Sequence, residues 1–112
     1  MDFNVPYNTT YTITQECFLF ASANSYDYDY NWDSREKTAE YGFNFSAILY
    51  DSEGNVLYTW LNGAFMGSAG TEKKLVYAPQ GSVIKVAWSG VIYSSTMYSG
   101  EVGGQIIYLK SE

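Results

Sequence analysis

The sequence predicts an all-β domain, an antiparallel β-sandwich of eight to nine short strands, and three observations carry that prediction. Twelve Tyr, six Phe and three Trp stand among 112 residues that include only six basic and twelve acidic side chains, a mixture suited to pleated, half-buried strands. Apolar and polar residues alternate with period two in several short runs. Glycine and proline recur between those runs as turn signals. The length fits one domain over residues 1–112 with a single core, residues 1–8 being expected as an extended N-terminal arm.

In order, "YTITQ" puts Tyr11 and Ile13 on one face, and "CFLFA" is an apolar run suited to a strand covered on both sides. A helix is conceivable only over Asp33 to Gly42, "DSREKTAEYG", where Asp33 or Ser34 could cap a single turn and Gly42 could stop it. "FNFSAILYD" then sets Phe43, Phe45, Ala47 and Leu49 against Asn44, Ser46, Ile48 and Tyr50. The turn "DSEGN" leads into "VLYTWL", the clearest hairpin, with Gly54 free to take positive φ. "NGAFMGSAGT" has three glycines and reads as a loop or a bulged edge. "EKKLVYAPQGSVIKVAW" reads as two strands joined at Pro79 and Gly81. The Ser-, Tyr- and Gly-rich tail alternates weakly before "QIIYLK" closes the chain, with Ile107 and Leu109 on one face.

The chemistry open to such a chain is narrow. The absence of histidine removes the commonest general base, the Ser-His-Asp triad and nearly every catalytic zinc site. Carboxylates at Asp27, Asp29, Asp33, Glu36 and Glu40 could in principle hydrolyse a glycoside, but two on one strand face do not enclose a substrate, so no enzymatic activity and no cofactor is expected. Cys17 is the single cysteine, excluding an intrachain disulfide, and its apolar setting reads as a buried small hydrophobe. A net charge of −6 repels phosphate backbones and anionic lipid, so nucleic acid is not expected as a partner. No apolar run is long enough to span a bilayer as a helix, and the N-terminus lacks the basic and apolar regions of a secretory signal; a soluble chain without membrane insertion is expected.

One stretch stands out: "NSYDYDYNWDSR", Asn24 to Arg35. Asp27, Asp29, Asn31 and Asp33 imitate the spacing of a calcium loop, but Trp32 sits where such a loop needs glycine and Thr38 where it needs glutamate, so no metal is expected there. As a strand, the stretch places Tyr26, Tyr28, Tyr30 and Trp32 on one face and Asp27, Asp29, Asn31 and Asp33 on the other. Two readings follow. The aromatics pack on the core or on a neighbouring subunit while the acids solvate, or part of the ladder and the Tyr/Ser/Gly tail face outward to recognise a partner. Tyr28, Tyr30, Trp32, Asp29, Tyr93 and Tyr98 are the candidate ligand-binding residues, since flat rings beside carboxylates suit a sugar's apolar face and its hydroxyls.

From Thr9 to Lys110 the order of features resembles the small β-sandwich tip domains of phage tail fibres and related receptor-binding proteins, some of which are similar to the tumour-necrosis-factor jelly roll. The matching segments are "YTITQECFLFASA", "WLNG", "APQGSVIKVAW" and "IIYLK"; Gln15 to Cys17 stand where the pattern has an Asp-Gly turn. The resemblance implies a jelly-roll-like sandwich, a homotrimer packed through aromatic strand faces, a location at the tip of a virion's tail or fibre, and exposed loops binding a bacterial surface glycan or protein receptor without catalysis. The alternative is a stand-alone bacterial carbohydrate-binding or small effector module.

Overall fold

A computed structural model describes residues 1–109 as ten β-strands in two antiparallel sheets, with no helix among them. The strands are β1 (Asp2–Pro6), β2 (Thr9–Thr12), β3 (Cys17–Asn31), β4 (Glu36–Glu40), β5 (Gly42–Tyr50), β6 (Val56–Met66), β7 (Ser68–Gly70), β8 (Lys74–Ala78), β9 (Val83–Gly90) and β10 (Thr96–Tyr108). Lys110, within the "IIYLK" match, lies outside the described residues.

The pairing is nested in part. β1 pairs with β10, β2 with β9, β3 with β8 and β5 with β6, while β4 and β7 each pair with β3 rather than with each other, giving a sandwich of two antiparallel sheets. One sheet runs β1-β10-β3, with β8, β7 and β4 placed in turn along the far edge of β3. The other runs β2-β9-β5-β6. Fifteen residues of β3, at about 3.3 Å each, account for most of the 57 Å long axis.

Alternation decides what is buried. Phe43, Phe45, Ala47 and Leu49 of β5 point inward, as their spacing predicted, and meet Ile84, Val86 and Trp88 of β9 and Leu19, Ala21 and Ala23 of β3 in a single core. Large rings lie against small residues. A Cβ on Gly100 of β10 would fall 2.6 Å from Cε1 of Phe45, so that glycine is the space the ring occupies. Cys17 is buried, and burial pushes its thiol above the ordinary value. Both tight turns form where expected, with Gly54 at φ +89° and Gly81 at φ +87°.

Three expectations are corrected. Glu36–Glu40 is strand β4, not a helical turn: one turn without an apolar stripe gains little from packing, whereas pairing with β3 satisfies the backbone. "NGAFMGSAGT" is no loop but does lie at an edge, the other reading offered: β6, the edge strand of its sheet, continues to Met66 and β7 follows at Ser68, which with β4 brings the strands to ten rather than eight or nine. The irregular pairing of the β5–β6 hairpin lies earlier, at Ala47/Ile48 and Leu49/Tyr50. Residues 1–8 are extended but not a free arm: β1 is hydrogen-bonded to β10 and Val5 is in the core.

Candidate functional site

The residues of "NSYDYDYNWDSR" occupy the far end of β3, where it passes the core and turns into β4. The carboxamide oxygen of Asn31 accepts the backbone N–H groups of Asp33 (2.9 Å) and Ser34 (3.1 Å), an Asx turn, and Arg35 completes the reversal at φ +58°. The register shifts between Asp29 and Tyr30, leaving Thr38 of β4 unpaired in the ladder.

On the outer face, Tyr30 and Trp32 meet edge to face with centroids 4.7 Å apart, and Tyr26 and Tyr28 lie at 5.3 Å. Lys37 Nζ sits 4.9 Å above the Tyr28 ring and 3.0 Å from Glu40 Oε1. Trp32 is 68% exposed. Beside it, Tyr30, Asn31, Trp32, Asp33, Thr38 and Ser95 line an open depression of about 380 Å³.

The acidic side of the strand is wet only at its far end, where Asn31 and Asp33 are exposed; Asp29 is half-buried and Asp27 buried, which corrects the expectation of a wet face there. β3 keeps one parity from Cys17 onward, so the side that carries Leu19, Ala21 and Ala23 into the core carries Ser25 and Asp27 there too. Ser25 is satisfied by donating its hydroxyl to the Ser99 carbonyl at 2.8 Å. Asp27 is fully buried, and neither of its oxygens has a hydrogen-bond partner. Burial pushes its carboxyl above the ordinary value and nearby Asp29 adds to the rise; the Val91 backbone N–H works in the opposite sense without reaching hydrogen-bonding geometry.

Asp29, two residues on, is handled differently. Its Oδ2 accepts the Tyr41 hydroxyl at 2.5 Å, and its Oδ1 accepts those of Ser95 (2.9 Å) and Thr96 (3.2 Å). The Tyr41 bond, aided by Ser95 and Thr96 and partly opposed by desolvation, holds the Asp29 carboxyl below its ordinary value. The same bond pushes the Tyr41 phenol up to about 12. The Tyr93 ring stands edge-on to Tyr41 at 5.7 Å, and its backbone N–H donates to the Thr96 hydroxyl at 2.7 Å. This network ties the segment 91–95 to β3.

Of the six candidate residues, Tyr28, Tyr30 and Trp32 share the outer face, and Asp29 and Tyr93 meet at the same end through Tyr41 and Thr96. Tyr98 is elsewhere, facing between the sheets, where it stacks on Trp88 at 5.0 Å and touches Tyr7 at 5.7 Å. Sequence reasoning missed Tyr41, just past the β3–β4 reversal, and Ser95 and Thr96, which lie far from Asp29 in the chain; none of the three carries a motif. It also missed Asp27, which shares the parity of Leu19, Ala21 and Ala23 but is enclosed only because the second sheet covers that side.

A second aromatic surface lies toward the other end of the same sheet. Phe18 is paired with Tyr77 and Ile107, and Phe20 with Leu75, so their outward side chains form one apolar patch across β8, β3 and β10. Leu75 is 61% and Ile107 48% exposed. The Tyr77 hydroxyl donates to the Glu16 carboxylate at its margin.

Among the described residues no group of three or more His, Cys, Asp or Glu side chains is placed to hold a metal ion. What the β3–β4 end can do is stack flat apolar faces on Trp32 and Tyr30 while hydroxyl, amide and carboxylate groups hydrogen-bond around them. Comparison with protein-family models, curated proteins and solved structures finds no match to this chain.

Proposed function

We propose that the chain is a non-catalytic recognition domain of a phage-type appendage, binding a bacterial surface glycan or protein with the aromatic end of β3 and β4. The observation that carries this reading is the exposed Trp32 ring set against half-buried Tyr30, beside a depression whose polar rim is held in place by the Asn31 turn. Rings fixed before binding lose little conformational freedom, so more of the contact energy appears as affinity. A β-sandwich hosts many functions, and the reading therefore rests on this surface and on the resemblance of the sequence, not on the fold.

Self-association as a homotrimer belongs to the same proposal, with the Phe18, Phe20, Leu75, Tyr77 and Ile107 patch as its contact. A contiguous exposed patch of large apolar side chains on a small domain is costly to leave in water. Recognition and assembly then occupy opposite ends of one sheet.

The test uses one preparation. Binding to an array of bacterial surface glycans is measured for the native chain, Trp32→Ala and Tyr30→Ala, with sedimentation alongside. Loss of an anchoring ring costs about 2 kcal/mol, roughly 30-fold in affinity, and the melting temperature should stay put because Trp32 packs on little else. Phe20→Glu combined with Leu75→Glu should give monomers that still bind. A native chain that sediments as a monomer and binds glycan favours the stand-alone module; unchanged binding after loss of both rings refutes the site.

A further inference from the structure

Asp27 has no role in that recognition surface, and its position is hard to maintain. A buried carboxylate without a partner is among the costliest groups a core can hold, whereas the protonated acid is tolerated far better. The surroundings are tight. Oδ2 lies 2.6 Å from where a Cβ on Gly90 would be, with Phe43 Cβ and Trp88 Cη2 at 2.9 and 3.0 Å from the same point. Gly90 ends β9 and opens directly into the segment 91–95, whose Ser95 both binds Asp29 and lines the depression beside Trp32.

We propose that the Asp27 carboxyl is a proton-operated latch behind the aromatic end: protonated, it lets the two sheets close over it, and ionised, it draws water in beside Gly90 and loosens the segment 91–95.

The groups facing Asp27 favour this direction. Asp29 follows it on β3, Tyr41 is bonded to Asp29 with the Tyr93 ring edge-on to it, and Tyr98 is its pairing neighbour on β10. Glu40 lies near Gly67, whose carbonyl accepts the Asp27 backbone N–H. Among the described residues no lysine or arginine forms an ion pair with it; Lys37 is engaged by Glu40, and Lys85 lies over Tyr50. The sign follows from linkage. The folded chain holds the Asp27 proton at pH values where the unfolded chain has released it, so this stabilisation is complete below the ordinary carboxylate range. It is lost as pH rises through the raised folded value. Ligand affinity at the aromatic end should fall over the same interval, a consequence that rests on the recognition reading, whereas the latch itself does not.

The experiment therefore reads the latch without a ligand. Hydrogen-exchange protection of amides 91–96, corrected for intrinsic rates, is compared at pH 5 and pH 7.5 in the native chain and in Asp27→Asn, together with melting temperatures. The native chain should lose at least tenfold in protection at the higher pH, and Asp27→Asn should lose none and melt roughly 4 to 8 °C higher there. Equal protection at both pH values in the native chain, or the same loss in the variant, overturns the latch. Should Asp27→Asn not fold, an infrared pH series of the native chain decides: a protonated-carboxyl band that persists above the ordinary carboxylate range and is lost together with the protection of amides 91–96 supports the proposal, and its absence overturns it. A failed glycan array would touch neither result.

Discussion

Phe45 and Gly100 are coupled so closely that reversing the sign of a mutation is the sharpest check on the core. Phe45 is fully buried, and truncating it to alanine removes a ring from a site with no side chain at Gly100 to fall into the space. The loss should lie near the middle of the range for such changes, about 4 kcal/mol, against a total stability of about 5–15 kcal/mol for a small domain. Gly100→Ala alone adds a methyl group 2.6 Å from Phe45 Cε1 and 3.0 Å from its Cδ1, an overpacking cost of about 2 kcal/mol. In the Phe45→Ala background that methyl group enters empty space, and only Trp88 Cδ1, at 3.3 Å, has to yield slightly. The double variant should therefore be at least as stable as Phe45→Ala, well short of the additive loss of about 6 kcal/mol. Urea titration followed by tryptophan fluorescence measures all four chains, at one protein concentration because self-association would couple to unfolding. Additivity of the two losses within about 0.5 kcal/mol would refute the packing described for β5 against β10.

Gly104→Ala should be far worse than Gly103→Ala: its Cβ would lie 2.0 Å from the Phe20 carbonyl oxygen and 2.8 Å from Ala21 Cα, both backbone atoms of the paired strand. Loss of more than about 4 kcal/mol, or no soluble folded protein, is the expected result, and a normal denaturation curve would count against the β3–β10 register. Tyr41 should be among the last tyrosines to ionise, near pH 12 by ultraviolet absorbance, and Asp29→Asn should bring it down. Because the folded Tyr41 value is raised, its stabilisation is complete below about pH 10 and lost as pH rises toward 12; because the Asp29 value is depressed, its share is lost as pH falls into the acid range. Melting curves of Asp29→Asn should show both flanks flattened.

Much of the fold was legible because a strand's alternation is local. Phe43, Phe45, Ala47 and Leu49 are spaced two apart and all face the core, and Gly54 and Gly81 mark turns by a backbone conformation that few other residues adopt. The helical turn considered within Asp33–Gly42 shows the limit, since the five residues Glu36–Glu40 carry too little periodicity to choose a state and the β3 edge chose it for them. The candidate site was legible only in part. Tyr30 and Trp32 are where their spacing put them, but Asp29 depends on the Tyr41 hydroxyl, returned to it by the β3–β4 reversal twelve residues on, and on those of Ser95 and Thr96, brought in by the β3–β10 pairing across more than sixty residues of chain.

By itself, then, the sequence determined the strand class, the turns and the identity of the inward rings, because side-chain period and glycine φ are properties of neighbouring residues. Which side of "YDYDY" would face the interior was decided only by the tertiary structure. Parity within one strand says that the tyrosines and aspartates are on opposite faces, but the second sheet sets which face is inside. Its Phe43, Phe45 and Trp88 rings cover the side already carrying Leu19, Ala21 and Ala23, so Asp27 entered the core and the tyrosines were left outside.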